Sequence, residues 1–117
     1  MTNQSIPIIN QHIALIKLEF IDKSSSLIEE IAQNLITDLD LKVVKKISHT
    51  FHPTGSTFAY ILSESHLLVH TWPELGVIHI DLVTCSHRDK KEFESSLKAA
   101  FSDQKIKSIE IESVSFD

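Results

Sequence analysis

Two stretches of the chain place apolar residues at helical spacing. The first follows the capping-box sequence Ser26-Leu27-Ile28-Glu29, and its apolar positions recur every three or four residues up to Ile36. The second follows another capping box, Ser86 to Asp89, and one face of the helix that it opens carries Phe93, Leu97, Ala100 and Phe101. The pattern predicts two amphipathic helices, the first of about three turns, each with one apolar face.

Six further segments have the composition of β-strands, rich in β-branched and aromatic residues or alternating between apolar and polar positions. They are residues 13–21, 41–51, 57–62, 66–72, 77–84 and 105–114. Turn-forming residues occupy positions 52–55 and 73–76. The predicted order of elements is therefore β-α-β-β-β-β-α-β.

This order predicts an α+β fold, a two-layer α/β sandwich with both helices packed on one face of an antiparallel sheet. The opposite face of the sheet also carries Leu, Val, Ile and aromatic side chains. An apolar sheet face of that kind needs a covering partner. We therefore expect a homodimer.

Composition narrows the class of protein. A chain of 117 residues with 42% hydrophobic residues predicts a single domain over residues 1–117. Its net charge is −5, and its only adjacent basic pairs are Lys45-Lys46 and Lys90-Lys91, so we expect no nucleic-acid partner. No apolar run predicts a membrane span, and the N-terminal residues lack a secretion signal, so we expect a cytoplasmic protein without a membrane partner.

Residues 55–85 concentrate the groups of chemical interest, and three interpretations compete for them. A metal site would use His66, His70 and Glu74, but residues four apart on a strand are separated by roughly 13 Å, too far for one ion. A Ser/His hydrolase would expose its serine in a G-x-S-x-G turn, which is missing. A single cysteine allows neither an internal disulfide nor a Cys-based zinc site.

The third interpretation is that a serine attacks its own backbone. Attack of a hydroxyl on the preceding carbonyl converts the amide to an ester, and β-elimination then cleaves the chain and leaves a terminal pyruvoyl group. The reaction needs a hydroxyl, a donor for the oxyanion and a basic histidine, and all three types occur within this segment. Composition alone does not decide among the three interpretations.

Three motifs in this segment together resemble those of a known protein family. They are S-E-S-H-L at residues 63–67, H-T-W-P-E at 70–74 and D-L-V-T-C at 81–85, with Phe51, Gly55 and Thr57 at matching upstream spacing. Together they resemble the prokaryotic S-adenosylmethionine decarboxylase proenzymes, which depend on a pyruvoyl group. The resemblance also implies the two-layer fold of that family.

The resemblance implies a cleavage between Glu64 and Ser65, which gives a β chain of residues 1–64 and an α chain of residues 65–117. Ser65 would become the pyruvoyl cofactor, whose carbonyl forms a Schiff base with the substrate amine. His70 corresponds to the processing base, Thr57 to a hydroxyl that supports processing, and Cys85 to the proton donor of the decarboxylation.

Two more residues correspond to positions that bind the small-molecule substrate. Glu74 would bind the ribose hydroxyls and Phe51 would stack on the adenine. In the family the active sites lie between two protomers, so one chain would contribute Ser65 and Cys85. The partner would contribute the other four residues, Phe51, Thr57, His70 and Glu74.

The chain also departs from the family pattern. Asn10 stands where the family usually has Gly before the histidine of the first strand, Ile16 stands at an acidic position, and Ser86 replaces a Gly after the cysteine. Loss of a carboxylate near a sulfonium-binding pocket would remove a favourable charge. We expect decarboxylation of S-adenosylmethionine for spermidine synthesis. The alternatives are a pyruvoyl-dependent arginine or ornithine decarboxylase and, third, a non-catalytic paralogue that regulates an active partner.

Overall fold

The computed structural model describes residues 8–21 and 25–116, and the order of its elements is the predicted one. A short 3-10 helix, Pro73–Leu75, joins the fourth strand to the fifth. The elements are β1 (Ile9–Leu18), α1 (Ser25–Asp38), β2 (Val43–Thr50), β3 (Ser56–Leu62), β4 (Ser65–Trp72), β5 (Val77–Thr84), α2 (Lys90–Ala100) and β6 (Ile106–Phe116). In these two ranges no helix is long and apolar enough to cross a membrane.

The strands form one six-stranded sheet in the order β2-β3-β4-β5-β1-β6, and every neighbouring pair is antiparallel. Strands β2 to β5 follow one another as a meander. Strand β1 then lies between β5 and β6, so the first strand of the chain pairs with the two strands that flank α2 in sequence.

One face of the sheet is covered by α1 and α2, which confirms the predicted two-layer α+β sandwich. The apolar helical positions that predicted this arrangement are buried, among them Ile31 and Leu35 of α1 and Phe93 and Leu97 of α2. They pack against alternate strand residues in one core. The strand contribution to that core is Ala14, Ile16, Leu18, Phe58, Tyr60, Leu62, Leu67, Val69, Ile78, Ile80 and Leu82.

The other face of the sheet, here called the open face, is not covered by either helix. One register row crosses it through His49, Thr57, His70, His79, Leu15 and Glu110, and the next contains Leu68, Asp81 and Ile13. Most of the central side chains are half-buried by their neighbours. The open face thus combines aliphatic residues with histidines and carboxylates.

Most element boundaries lie within two residues of the sequence prediction, and the bounds of β1 and the start of α2 differ by more. Strand β1 covers Ile9–Leu18 rather than 13–21, because the polar residues Asn10 and His12 are buried and hydrogen-bonded, whereas Phe20 is 75% exposed beyond the strand. The predicted capping box at Ser86 is wrong. Helix α2 begins at Lys90 with Asp89 as its N-cap, while the Ser86 hydroxyl donates to Glu64 instead.

The N-cap of α2 gives a stability prediction. Asp89 accepts a hydrogen bond from the Lys91 backbone N–H at 3.2 Å, so Asp89→Ala should lower the free energy of unfolding by about 1 kcal/mol. Asp89→Asn keeps a capping oxygen and should stay close to the parent protein. Urea denaturation of both variants in a Ser65→Ala background, where the backbone cannot be cut at that serine, measures the difference. Equal losses would contradict a capping role for the Asp89 side chain.

Candidate functional site

The residues singled out from the sequence lie at the two ends of β4. At the start of the strand, Ser65 and Glu64 meet the loop of residues 85–89 that follows β5; we call this group the Ser65 cluster. Near the end of the strand, His70 meets Thr57, Phe51 and Glu74, which we call the His70 cluster. The structure therefore divides the six predicted residues into two groups.

The backbone at Ser65 is strained. Ser65 begins β4 immediately after a tight turn and has a φ of 137°, a value that side-chain-bearing residues rarely adopt. Such a conformation costs on the order of 1–3 kcal/mol and persists only where surrounding contacts enforce it. Here the enforcing contacts include the pairing of Ser65 with Thr84 across the β4–β5 ladder.

The carbonyl group that precedes Ser65 accepts a hydrogen bond. The Cys85 backbone N–H donates to the Glu64 carbonyl oxygen at 2.9 Å. Cys85 itself is exposed at the end of β5, one residue beyond the partner of Ser65. The structure thus brings Ser65 and Cys85 together, as the sequence motifs imply, and adds a backbone donor aimed at the carbonyl between Glu64 and Ser65.

The side chain of Glu64 is held by two residues of the 85–89 loop. The Ser86 hydroxyl donates to Oε2 at 2.7 Å, and the Arg88 guanidinium donates to Oε1 at 2.8 Å. Burial by itself raises the pKa of the Glu64 carboxyl, but these hydrogen bonds and the Arg88 charge lower the pKa below its ordinary value. Glu64 is therefore ionised at neutral pH.

Sequence reasoning missed Arg88. Its contact with Glu64 spans 24 residues, and no local pattern predicts a pairing at that range. One signal was present in the composition, because Arg88 is the only arginine of the chain. A lone arginine three residues after the D-L-V-T-C motif is a candidate partner for a carboxylate.

Two polar residues of β1 hold the backbone of the same loop. Asn10 donates to the Ser86 carbonyl at 2.8 Å and accepts from the Ser115 hydroxyl at 3.0 Å. His12 Nε2 lies 2.9 Å from the Arg88 carbonyl, which can only accept, so this nitrogen carries a hydrogen. Asn10 thus supports the loop through a side chain that a glycine does not have.

The expectation that Ile16 alters a substrate pocket is wrong. Ile16 is fully buried in the core between the sheet and the helices. It therefore does not line the open face or either cluster, and the absence of a carboxylate there leaves the core apolar instead of changing a binding surface.

His70 lies on the open face, and its Nδ1 is 2.9 Å from the Thr57 hydroxyl. Burial lowers the pKa of the His70 imidazole, the charge of His79 lowers it further, and Asp81 offsets only part of this effect. The rings of His70 and His79 are 5.9 Å apart. His70 is therefore neutral near pH 7, the state that can accept a proton.

A cavity of about 400 Å³ adjoins His70, and its lining includes Phe51, Thr57 and Glu74. Phe51 is 47% exposed, and Glu74 Oε1 accepts a weak hydrogen bond from the Thr54 hydroxyl at 3.3 Å. The structure thus places four of the predicted residues around one cavity, with an aromatic face and a carboxylate at its margin.

The two clusters are separate within one chain. Ser65 and His70 are five residues apart on β4, which corresponds to roughly 16 Å along a strand. His66 lies between them and faces Asp81 at 3.5 Å rather than His70. A single chain therefore does not bring His70 to Ser65.

The fold is shared with a solved adenosylmethionine decarboxylase. The crystal structure of the adenosylmethionine decarboxylase from Aquifex aeolicus VF5 superposes with a TM-score of 0.71 at 23% identity, covering 93% of this chain and 91% of that one. At this identity the likeness establishes the fold alone.

Sequence comparison establishes the family. The model of the S-adenosylmethionine decarboxylase family matches residues 17–113. An S-adenosylmethionine decarboxylase proenzyme of Archaeoglobus fulgidus is 32% identical over 77 residues, 66% of this chain and 68% of the relative. One of Clostridium botulinum (strain Hall) is 47% identical over 64 residues, and that match spans 55% of each protein, little more than half the length of the relative. The chain belongs to the S-adenosylmethionine decarboxylase family.

The environment of His70 gives a second prediction. His79→Gln removes a neighbouring positive charge and should raise the pKa of His70, whereas Asp81→Asn removes a stabilising negative charge and should lower it. An NMR titration of the imidazole C–H signals measures both shifts. His49→Gln is the matched control, because His49 lies opposite Thr57 rather than beside His70. An unchanged His70 titration in both test variants would contradict this electrostatic account.

Proposed function

We propose that this protein is a self-processing, pyruvoyl-dependent decarboxylase that acts on S-adenosylmethionine. The observation that carries the proposal is the geometry of the Glu64–Ser65 peptide, where a serine with a φ of 137° follows a carbonyl that accepts the Cys85 N–H. Family membership supports the same reaction. Each of the steps below uses residues that the two clusters contain.

In the first step the Ser65 hydroxyl attacks the Glu64 carbonyl carbon. Negative charge develops on the carbonyl oxygen, which the Cys85 N–H stabilises at a donor–acceptor distance of 2.9 Å. One oriented donor of this kind contributes roughly 10²–10³ in rate. The C–N bond then breaks, the Ser65 nitrogen takes the proton that the hydroxyl lost, and an ester replaces the amide. Release of the backbone strain at Ser65 favours this direction.

In the second step a base removes the α-proton of residue 65. The electron pair forms a Cα–Cβ double bond, the Cβ–O bond breaks, and Glu64 leaves with a terminal carboxylate. Water then adds to the dehydroalanine tautomer and ammonia leaves, so that residues 65–117 begin with a pyruvoyl group. His70 suits the role of base, since its lowered pKa keeps the imidazole neutral and Thr57 fixes the ring.

His70 can act on Ser65 only if it comes from a second copy of the chain. We propose a homodimer in which the open faces pack together, so that the Ser65 cluster of one protomer meets the His70 cluster of its partner. The half-buried aliphatic residues of the open face support this packing, because their exposed surface is removed from water in a dimer. Two-fold symmetry then produces two equivalent sites.

The residues around position 65 fit a pyruvoyl group. A pyruvoyl group there supplies an electron sink for the loss of CO₂ from an α-amino carboxylate. The exposed Cys85 thiol lies next to this position and can return a proton to the α-carbon. In the cavity of the His70 cluster, Phe51 offers a ring face to an adenine and the Glu74 carboxylate can accept hydrogen bonds from ribose hydroxyls.

Mass spectrometry of the denatured protein tests the cleavage. We expect two fragments, residues 1–64 and residues 65–117, the second with a blocked N-terminus that reacts with carbonyl reagents. A single intact chain would contradict the proposal and favour a non-catalytic paralogue. Release of labelled CO₂ from S-adenosylmethionine, arginine and ornithine then tests the substrate, and activity on an amino acid alone would contradict the assignment to S-adenosylmethionine.

Three substitutions separate cleavage from turnover. Ser65→Ala should abolish both. Cys85→Ala keeps the backbone N–H that stabilises the oxyanion, so cleavage should continue while turnover falls by roughly a hundredfold or more. Ser63→Ala, two residues before the cleavage position in the same turn, is the matched control and should leave both unchanged. Full decarboxylase activity in Ser65→Ala would refute the pyruvoyl mechanism.

A further inference from the structure

The Glu64 carboxylate lies near the carbonyl group that Ser65 attacks, although the carboxylate itself does not react. It belongs to the residue whose carbonyl is attacked, so the carboxylate and the carbonyl oxygen are parts of one residue. Negative charge develops on that oxygen in the first step of cleavage. An unpaired carboxylate at such a distance opposes this charge and would slow the step.

Arg88 supplies the opposite charge. Its guanidinium donates to Glu64 Oε1 at 2.8 Å, and the side chain is only 16% exposed, so solvent screens the pair weakly. The Ser86 hydroxyl donates to the other carboxylate oxygen, Oε2, at 2.7 Å. Both oxygens of Glu64 are thus engaged on the side of the 85–89 loop.

Arg88 is itself held in place from several directions. A second guanidinium nitrogen donates to the Leu39 carbonyl just beyond α1, and the Arg88 carbonyl accepts from His12. The same loop carries Cys85, whose N–H binds the Glu64 carbonyl. One short segment therefore presents both the donor to the reacting carbonyl and the counter-charge to the neighbouring carboxylate.

We infer that Arg88 is a positioning residue for cleavage of the Glu64–Ser65 bond, which it promotes by neutralising and immobilising the Glu64 carboxylate. The inference rests on the self-processing function proposed above. It requires that the effect of Arg88 pass through the charge of Glu64. A residue that merely stabilised the loop would act whether or not position 64 were charged.

The test measures the cleavage rate of the full chain made by cell-free translation with labelled leucine, followed on denaturing gels. Arg88→Met should slow cleavage on the order of tenfold or more in the wild-type background. In a Glu64→Gln background the same substitution should change the rate by no more than about twofold, since no carboxylate is left to neutralise. Arg88→Lys keeps the positive charge but cannot reach both Glu64 and Leu39 with a planar fork, so it should cleave faster than Arg88→Met and more slowly than the wild type.

Lys91→Met is the matched control, because it removes one exposed positive charge near the loop and should leave the rate unchanged. Equal slowing by Arg88→Met with Glu64 and with Gln at position 64 would overturn the inference and make Arg88 a structural residue. So would an unchanged rate in both backgrounds. A wild-type chain that stays intact would instead remove the proposed function, and this inference with it.

Folding is checked separately by thermal melting of each variant with Ser65→Ala. If Arg88→Met melts far below its parent, Arg88→Gln, which keeps an amide donor for Leu39, takes its place in the comparison. Ser86→Ala, which removes one hydrogen bond from Glu64 without changing Arg88, should slow cleavage severalfold in either case. The inference would be contradicted if Ser86→Ala left the cleavage rate unchanged and Arg88→Gln slowed cleavage equally with Glu and with Gln at position 64.

Discussion

The register of β4 against β5 is the constraint on which both candidate clusters depend. It sets Ser65 opposite Thr84 and His70 opposite His79, and so places Cys85 next to the Glu64 carbonyl. A slip of one residue would exchange the faces of the whole strand, burying His70 and turning Leu67 outward. The register is fixed because the odd-numbered residues of β4 and the even-numbered residues of β5 enter the helix-covered core. The packing of the core therefore also fixes the positions of the site residues.

Sequence patterns predicted the features that depend on residues close together along the chain. The helical faces, the bounds of β5 and the alternation that sends His70 to the open face all follow from spacing along the chain. The start of β1 was misplaced because Asn10 and His12 are polar yet buried, and the partners that satisfy them lie more than 70 residues away. The Glu64–Arg88 pair was missed because its two residues also lie too far apart along the chain, 24 residues, for a local pattern to link them. The site residues were predicted from family motifs, whereas the backbone strain at Ser65 is visible only in the structure.

Two of the three departures of this chain from the family pattern, Asn10 and Ser86, lie at one loop. Asn10 binds the Ser86 carbonyl, Ser86 binds Glu64, and Glu64 binds Arg88, so these two departures belong to one connected set of hydrogen bonds. Ile16 stands apart from this set in the apolar core. We therefore interpret the sequence differences as an alternative way to hold the turn before β4.

The position of β1 has a consequence for a chain cut between Glu64 and Ser65. The first fragment would contain β1, β2 and β3, and the second β4, β5 and β6, yet the sheet order interleaves them. Three of the five strand pairings, β3–β4, β5–β1 and β1–β6, would then join different polypeptides. Neither fragment could close a sheet or bury a core alone. The nicked protein would be an obligate heterodimer of its own halves, complementary by construction because both folded as one chain before the cut.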